Sequence, residues 1–271
     1  MKEPTPMQAD LLPADGATWS SITIGESGAT VLHDRESARY AKLVPAEQAA
    51  ELAGERDRIR WLEQTGIPGP SVLEWRRTDD GACLVTRAVP GVPAAQLDAS
   101  ALRQAWPTIT ALVRELHNIP PATCPFDRGL ATMMPLARTT VAANRVQRDF
   151  LPEDVQHVPP RAILGQLEDE LARNLRRESN ERVVCHGDLC LPNILVDPDT
   201  LRASGLVDLG RLGRADPYAD IALLLTNARE SWPDELTARE ADHGFAEGYG
   251  IDLDADRLGF YQLLDPLTWP R

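Results

Sequence analysis

The spacing of apolar and polar positions changes character about one third of the way along the chain. Up to about residue 90, apolar and polar residues alternate in short runs, a period of two that is typical of β-strands with one buried face. The predicted strands are residues 23–24, 30–32, 39–44, 71–75 and 82–89. In the run 39–44, Tyr40 and Lys42 share one face and Ala41 and Leu43 the other. This part is therefore predicted to be a small β-rich unit.

A helix is predicted within this unit, over residues 45–64, ending at the turn around Gly66. Its apolar positions Leu52, Ile59 and Leu62 follow the three- and four-residue spacing of a buried helix face. The same spacing places Glu55 on that face. Because burying an unpaired charge is costly, this carboxylate is expected to have a cationic partner.

Beyond the Pro90-Gly91-Val92-Pro93 segment, which is the clearest break in the sequence, helical spacing dominates. The predicted helices are residues 100–117, 160–177, 217–229, 233–249 and 255–264, with short strands at 182–186, 193–196 and 205–207. Residues 120–154 are predicted to be mostly loop. The fold class is therefore predicted to be α+β, with two lobes, residues 1–90 and 91–271, and a cleft between them.

The strongest chemical signal is the segment from His186 to Asn193, HGDLCLPN, which has the form H-x-D-x-x-x-x-N. A D-x-G segment begins at Asp208, fifteen residues further on. Together they match the catalytic and metal-binding signature of protein-kinase-like phosphotransferases. In that chemistry Asp188 would orient an attacking hydroxyl, and Asn193 and Asp208 would be oxygen ligands of Mg²⁺. Each short match alone is weak, and a turn capped by an aspartate is the simpler explanation for either.

The joint match is stronger because Lys42 and Glu55 precede it in the order that kinase chemistry needs. Of the 28 basic residues only Lys2 and Lys42 are lysines, and the other 26 are arginines. A lysine on a strand can contact the α- and β-phosphates of ATP while a helix glutamate pairs with it, which would give Glu55 its partner. The first lobe is therefore predicted to bind nucleotide, and the fold to be protein-kinase-like.

Two further nucleotide contacts are predicted from position. Tyr40 lies on the same face as Lys42 and could stack on adenine, although packing inside the small lobe explains it equally well. The backbone around Val89 and Gly91, at the lobe boundary, is expected to hydrogen-bond the adenine edge.

The composition excludes several other classes of protein. The 271 residues carry a net charge of −13, which argues against a nucleic-acid partner and would suit a cationic ligand. No apolar run reaches the roughly 20 residues that a membrane-spanning helix needs, and the first residues lack the apolar core of a secretory signal. The four cysteines contain no C-x-x-C pair and are most simply explained as small buried residues. We expect a monomer located in the cytoplasm.

A resemblance to a known family rests on several of these segments taken together. They are HGDLCLPN, DLGRLG, GESGATV, GERDRIRWL, GACLVTRAVPGVPAA, CPFDR and LLDPLTW. Over essentially the whole chain the sequence resembles the aminoglycoside O-phosphotransferases, and most closely their streptomycin 3''-phosphotransferase branch. The resemblance implies ATP and Mg²⁺ as cofactors, and transfer of the γ-phosphate to an aminoglycoside hydroxyl, which gives antibiotic resistance.

By the same resemblance, Asp188 is the catalytic aspartate, Lys42 and Glu55 position the phosphates, and Asn193 and Asp208 bind magnesium. The resemblance also implies that Ser27 contacts phosphate from the GESG loop, and that Asp220 braces the catalytic loop. An aspartate on a helix surface is the alternative explanation of Asp220.

The candidate drug ligands are acids of the second lobe, because cationic amino and guanidino groups favour carboxylates. They are Glu230, Asp265 and the terminal carboxylate of Arg271. The sequence departs from its relatives at Leu189, where proline is usual, and at Ser231 and Pro266, where related 3'-kinases carry acids. These departures concern the drug contacts more than the chemistry.

Two alternatives stay open at this point. One is a kinase of the same fold acting on another small molecule, such as a different aminoglycoside, choline or a sugar. The other is a catalytically silent binding module, which would be expected to have lost at least one of Lys42, Asp188, Asn193 and Asp208.

Overall fold

The structure is a computed structural model that describes residues 11–22 and 29–269. Its contacts divide the chain into two compact units. The first consists of Met1–Pro90 together with Ser204–Gly210, and the second of Gly91–Ala203 together with Arg211–Arg271.

The first unit is built on a five-stranded antiparallel sheet with one helix. The strands are β1 (Ser20–Ile22), β2 (Thr30–Asp34), β3 (Arg39–Pro45), β4 (Ser71–Arg77) and β5 (Gly81–Arg87), in the order β1-β2-β3-β5-β4. The alternation in β3 has the predicted consequence, since Ala41 and Leu43 are fully buried while Tyr40 and Lys42 face the other way. Leu32, Ala41, Leu43 and Val85 belong to one apolar cluster.

The helix α1 (Ala49–Leu62) follows a short 3₁₀ turn, Ala46–Gln48, and carries the predicted buried stripe. Its buried residues are Ala49, Leu52, Glu55, Ile59 and Leu62. The chain leaves the helix through Gly66, whose φ of +84° is readily adopted only by glycine. Spacing alone therefore located the inward-facing carboxylate.

The second unit is mainly helical. Its elements are β6 (Val92–Pro93), α2 (Ala99–His117), α3 (Leu130–Ala142), α4 (Pro160–Glu181), β7 (Val183–Cys185), β8 (Ile194–Asp197), the start of β9 (Arg202–Leu206), β10 (Gly213–Ala215), α5 (Tyr218–Arg229), α6 (Glu235–Tyr249) and α7 (Ala255–Leu267). β6 pairs with β8, and β7 pairs with β10, both antiparallel. The α+β class that the sequence predicts is confirmed.

Residues 120–154, which the sequence indicated to be loop-rich without a firm assignment, contain the helix α3. Its buried residues Leu130, Met133, Met134, Ala137 and Val141 follow helical spacing, so the signal was present. Pro135 lies inside the helix and disguised it, because an internal proline removes a backbone donor and usually ends a helix. Smaller differences are the end of α4 at Glu181 and of α7 at Leu267, both later than predicted. The predicted strand at 23–24 falls outside the described residues.

The main core of the second unit is formed where α3, α4, α5 and α7 supply buried apolar side chains to a single cluster. Leu264 of α7 is completely buried in it. Within residues 11–22 and 29–269, no helix has the length and apolar character needed to cross a bilayer.

We predict that Leu264→Ala lowers the free energy of unfolding by about 2–5 kcal/mol, because it leaves a cavity in this cluster. The matched control is Leu236→Ala on α6, whose side chain is 68% exposed and should change stability by less than about 0.5 kcal/mol. Urea unfolding followed by circular dichroism measures both. Equal losses for the two variants would contradict this assignment of the core.

Candidate active site

In the first unit, Lys42 lies between two carboxylates. Its Nζ donates to Glu55 Oε2 at 2.8 Å and to Asp208 Oδ1 at 3.1 Å. β3 supplies the lysine, α1 the glutamate, and the segment Ser204–Gly210 the aspartate. The structure thus brings Lys42 together with Glu55, which lies 13 residues further along the chain, and with Asp208, which lies 166 residues further along. The inward carboxylate of Glu55 has the cationic partner expected for it.

The charges of this cluster shift one another's protonation. Burial alone would lower the pKa of Lys42, but the charges of Glu55 and Asp208 outweigh it and raise the pKa above its ordinary value. Burial raises the pKa of Glu55, the ammonium of Lys42 opposes that rise, and the carboxylate of Asp208 adds to it. Two acids therefore share one cation, which leaves the cluster with an excess of negative charge when both are ionised.

Asp208 itself has an unusual backbone. Its φ is +59°, in the left-handed region that non-glycine residues seldom adopt, and its side chain is 49% exposed. Its carboxylate offers an accessible oxygen, and carboxylate oxygens are among the donors that Mg²⁺ prefers.

In the second unit, the loop after β7 carries Asp188 and is closed by Asn193. The Asn193 side-chain amide donates to the Asp188 backbone oxygen at 2.9 Å and to Asp188 Oδ2 at 3.0 Å. The amide of Leu191 donates to Asn227 Oδ1 of α5 at 2.8 Å. The Asn193 amide thus holds the carboxylate of Asp188, and the Leu191 amide ties the same segment to α5.

Asp220 anchors the start of the same loop from the first turn of α5. Its Oδ2 accepts from the His186 amide at 2.6 Å, and its Oδ1 accepts from the Gly187 amide at 2.8 Å. The side chain is completely buried, which raises its pKa, but the hydrogen bond from His117 and the charges around it outweigh burial and lower the pKa overall. Asp220 is therefore a buried, ionised brace and not a surface residue.

Gly187 is required by the geometry of this loop. Its φ is +81°, and a Cβ at this position would lie 2.3 Å from the backbone oxygen of Arg211. Only glycine allows the two backbone segments to approach so closely.

The remaining predicted nucleotide contacts are residues of the first unit and Gly91, the first residue of the second unit. Tyr40 is half-buried and stacks on His33, with ring centroids 4.4 Å apart and planes 12° from parallel. Val89 is half-buried, and Gly91, which begins the second unit, is exposed with φ +124°. Ser27 falls outside the described residues.

Of the predicted drug ligands, Glu230 is exposed at the end of α5. Asp265 is only 15% exposed, accepts from Trp269 Nε1 at 3.1 Å, and lies 4.0 Å from Arg128 and 3.9 Å from Arg211. Arg271 falls outside the described residues.

Sequence reasoning missed the residues that hold these groups in place. They are Asn227, Arg128, Arg211, Trp269 and His117. None has a motif of its own, although Arg128, Arg211 and Trp269 lie in CPFDR, DLGRLG and LLDPLTW, segments that carried the resemblance. Trp269 lies four residues after its partner Asp265, whereas the partners of the others are distant along the chain, so spacing could not have paired them.

One buried group has the composition of a metal site. Ligand atoms of His117, Cys185 and Asp220 lie within 4.8 Å of one another. All three already have hydrogen-bond partners, since Cys185 Sγ contacts the Asp216 backbone oxygen and Asp220 binds His117 and the loop amides. These contacts make it a polar core cluster.

The chain was compared with known proteins. Residues 18–261 match the phosphotransferase enzyme family APH. The streptomycin 3''-kinase of Streptomyces griseus is 56% identical over 254 residues, covering 94% of this chain and 93% of that protein. The aminoglycoside 3'-phosphotransferase of Streptomyces fradiae is 41% identical over 268 residues, covering 91% and 94%.

Solved structures give the same result. The aminoglycoside phosphotransferase APH(3'')-Id from Streptomyces rimosus aligns with a TM-score of 0.91 at 52% identity, covering 97% of this chain and 96% of that one. Its complex with ADP and streptomycin aligns with a TM-score of 0.91 at 51% identity, covering 96% and 97%. The predicted kinase-like fold is confirmed.

We predict that Gly187→Ala destabilises the protein by about 1–3 kcal/mol and lowers turnover, because the added Cβ forces the loop away from Arg211. Gly165→Ala is the matched control. It lies inside α4 with open space around it, so alanine should stabilise the helix by about 0.5–1 kcal/mol. Urea unfolding and turnover are measured for both. Wild-type stability and turnover for Gly187→Ala would refute the close approach.

Proposed function

Because the chain belongs to the phosphotransferase enzyme family APH, we propose that it transfers the γ-phosphate of ATP to the 3''-hydroxyl of streptomycin and so gives resistance to that antibiotic. The observation that carries the proposal is the 56% identity to the streptomycin 3''-kinase of Streptomyces griseus over 94% of the chain. The charged residues that this chemistry needs are all present.

Asp188 is the catalytic residue of the proposal. Its carboxylate would accept a hydrogen bond from the attacking hydroxyl and aim it at the γ-phosphate. The Asn193 amide on Oδ2 limits the rotation of the carboxylate, which supports such an orienting role. Because the transition state of phosphoryl transfer is loose, positioning and electrostatics contribute more than proton removal.

Lys42 would contact the α- and β-phosphates, and Glu55 would hold the lysine in place. The negative excess of the cluster of Lys42, Glu55 and Asp208, and the hard oxygen donors of its carboxylates, fit a magnesium ion. Bound there, Mg²⁺ would neutralise the negative charge of the triphosphate. Asn193 and Asp208 are its proposed ligands.

We assign nucleotide binding to residues 1–90 and catalysis with drug binding to residues 91–271. In the first region, Ser27, Tyr40 and the backbone at Val89 would contact ATP, and Gly91 would contact it at the boundary. The proposed enzyme is a monomer that works in the cytoplasm, where its ATP is supplied.

For the drug, Glu230 and Asp265 are the proposed anionic contacts, and Arg271 is a further proposed contact. Glu230 is more accessible than Asp265, because the side chain of Glu230 is exposed. Asp265 has Arg128, Arg211 and Trp269 close to its carboxylate. We therefore assign the cationic groups of the drug to Glu230 first.

A second substrate class has one observation in its favour. The aminoglycoside 3'-phosphotransferase of Streptomyces fradiae is 41% identical over 91% of the chain, so a 3'-hydroxyl acceptor is the main alternative. The lower identity, and Ser231 and Pro266 in place of acids, favour streptomycin. A silent binding module is disfavoured because Lys42 and the three oxygen-bearing residues are retained.

The substrate is tested with radiolabelled ATP and a panel of aminoglycosides. We expect label on streptomycin, and kcat/KM at least about 100-fold lower on kanamycin, because a misplaced hydroxyl loses the aligned geometry. Labelling of kanamycin alone would contradict streptomycin as the substrate and would favour the alternative, a 3'-hydroxyl acceptor. Labelling of no aminoglycoside would refute the proposed function.

We predict that Asp188→Asn lowers kcat by about 10²–10⁴-fold, because the amide cannot accept the hydroxyl proton, and leaves the KM for ATP within about twofold. The matched control is Asp199→Asn in the exposed turn after β8, which should leave both constants unchanged. Steady-state kinetics with streptomycin measures both variants. Turnover near the wild-type value in Asp188→Asn would remove this residue from the chemistry.

A further inference from the structure

Three helix ends meet at the start of the catalytic loop. His117 is the last residue of α2, Tyr249 is the last residue of α6, and Asp220 lies in the first turn of α5. His117 is 5% exposed and Asp220 is completely buried, whereas Tyr249 is half-buried. Neither His117 nor Tyr249 contributes to the site described above except through Asp220.

The three side chains form one line of hydrogen bonds. The Tyr249 hydroxyl lies 2.7 Å from His117 Nδ1, and His117 Nε2 lies 3.1 Å from Asp220 Oδ2. The line ends on the amides of His186 and Gly187, which donate to the two oxygens of Asp220.

The chemistry of the groups gives the line a direction. The carboxylate of Asp220 can only accept, so Nε2 of His117 donates to it. In the tautomer that carries its proton on Nε2, Nδ1 accepts from the Tyr249 hydroxyl. Burial raises the pKa of Tyr249 above its ordinary value, so the phenol keeps the proton that it donates.

Ring contacts hold Tyr249, the first residue of this line of hydrogen bonds, in place. The imidazole of His117 meets the Tyr249 ring edge-on, with centroids 5.6 Å apart at 79°. The Tyr249 ring also stacks on Phe245, with centroids 5.5 Å apart and planes 16° from parallel. A rotated imidazole would withdraw a donor from Asp220 Oδ2, the same oxygen that the His186 amide uses.

From this geometry we propose that His117 and Tyr249 are positioning residues for phosphoryl transfer. They orient the Asp220 carboxylate, which fixes the peptide groups one and two residues before Asp188. The kinetic part of this inference rests on the proposed function, and the structural part does not.

The test uses three full-length variants and two readouts. Tyr249→Phe removes only the hydroxyl, His117→Leu removes both ring nitrogens, and His117→Gln keeps an amide donor for Asp220. The matched control is Tyr261→Phe, because the buried hydroxyl of Tyr261 has no hydrogen-bond partner among the residues that the structure describes. The readouts are steady-state kinetics with streptomycin and hydrogen exchange of the peptide containing residues 183–193.

We expect Tyr249→Phe to lower kcat by about 3- to 10-fold, the rate equivalent of one hydrogen bond, with both KM values within about twofold. His117→Leu should lower kcat by about 10- to 100-fold, because it removes a hydrogen bond to a buried charge, and His117→Gln should recover part of that loss. Exchange at the Gly187 amide should be faster in Tyr249→Phe and His117→Leu, and unchanged in Tyr261→Phe.

The outcomes separate the two proposals. Wild-type kcat and wild-type exchange in Tyr249→Phe and His117→Leu would overturn the inference while leaving the proposed function intact. A wild-type protein that phosphorylates no aminoglycoside would end the proposed function, and exchange at Gly187 would then decide the anchoring alone. A rise in KM with unchanged kcat would also overturn the inference, because it would indicate a role in binding and not in positioning.

Discussion

The ammonium of Lys42, shared between the carboxylates of Glu55 and Asp208, is the interaction on which the proposed chemistry depends. A half-buried lysine is more stable in its charged form beside an acid, and this one has two. When both acids are ionised, the three side chains together carry a net negative charge, which a divalent cation would balance. A triphosphate alone would add to the repulsion, so the arrangement favours nucleotide that arrives with its metal. Three features of the fold bring these charged groups together. They are the strand face that presents Lys42, the helix stripe that includes Glu55, and the left-handed backbone of Asp208.

The loop of the second unit that carries Asp188, the proposed catalytic residue, is held by a different kind of interaction. There the fixed element is a buried carboxylate, Asp220, that accepts from backbone amides, and a glycine that permits close backbone contact. Hydrogen bonds to a buried charge are stronger than neutral ones and are directional. Such hydrogen bonds suit a loop that holds Asp188 in one orientation. The cluster of Lys42, Glu55 and Asp208 instead suits a site whose net charge changes when a ligand binds.

The predictable part of the fold is the part that local spacing determines. Period two in β3 and the stripe of α1 placed Lys42 and Glu55 on the correct faces, because burial repeats with the period of the element. The helix α3 was missed because Pro135 outweighed a helical pattern that was present. The joint H-x-D-x-x-x-x-N and D-x-G spacing identified the kinase-like fold, and the resemblance of whole segments identified the family. The lines from Tyr249 to Asp220 and from Arg128 to Asp265 could not be predicted, since they join residues that only the tertiary fold brings together.

The central claim is tested most directly by titrating the enzyme calorimetrically with a non-hydrolysable ATP analogue, with and without Mg²⁺. We expect magnesium to tighten binding by at least about tenfold in the wild type, because it balances the excess charge of the cluster. In Asp208→Asn, where one carboxylate is neutral, most of that gain should disappear. Equal affinity with and without magnesium in the wild type would contradict the account.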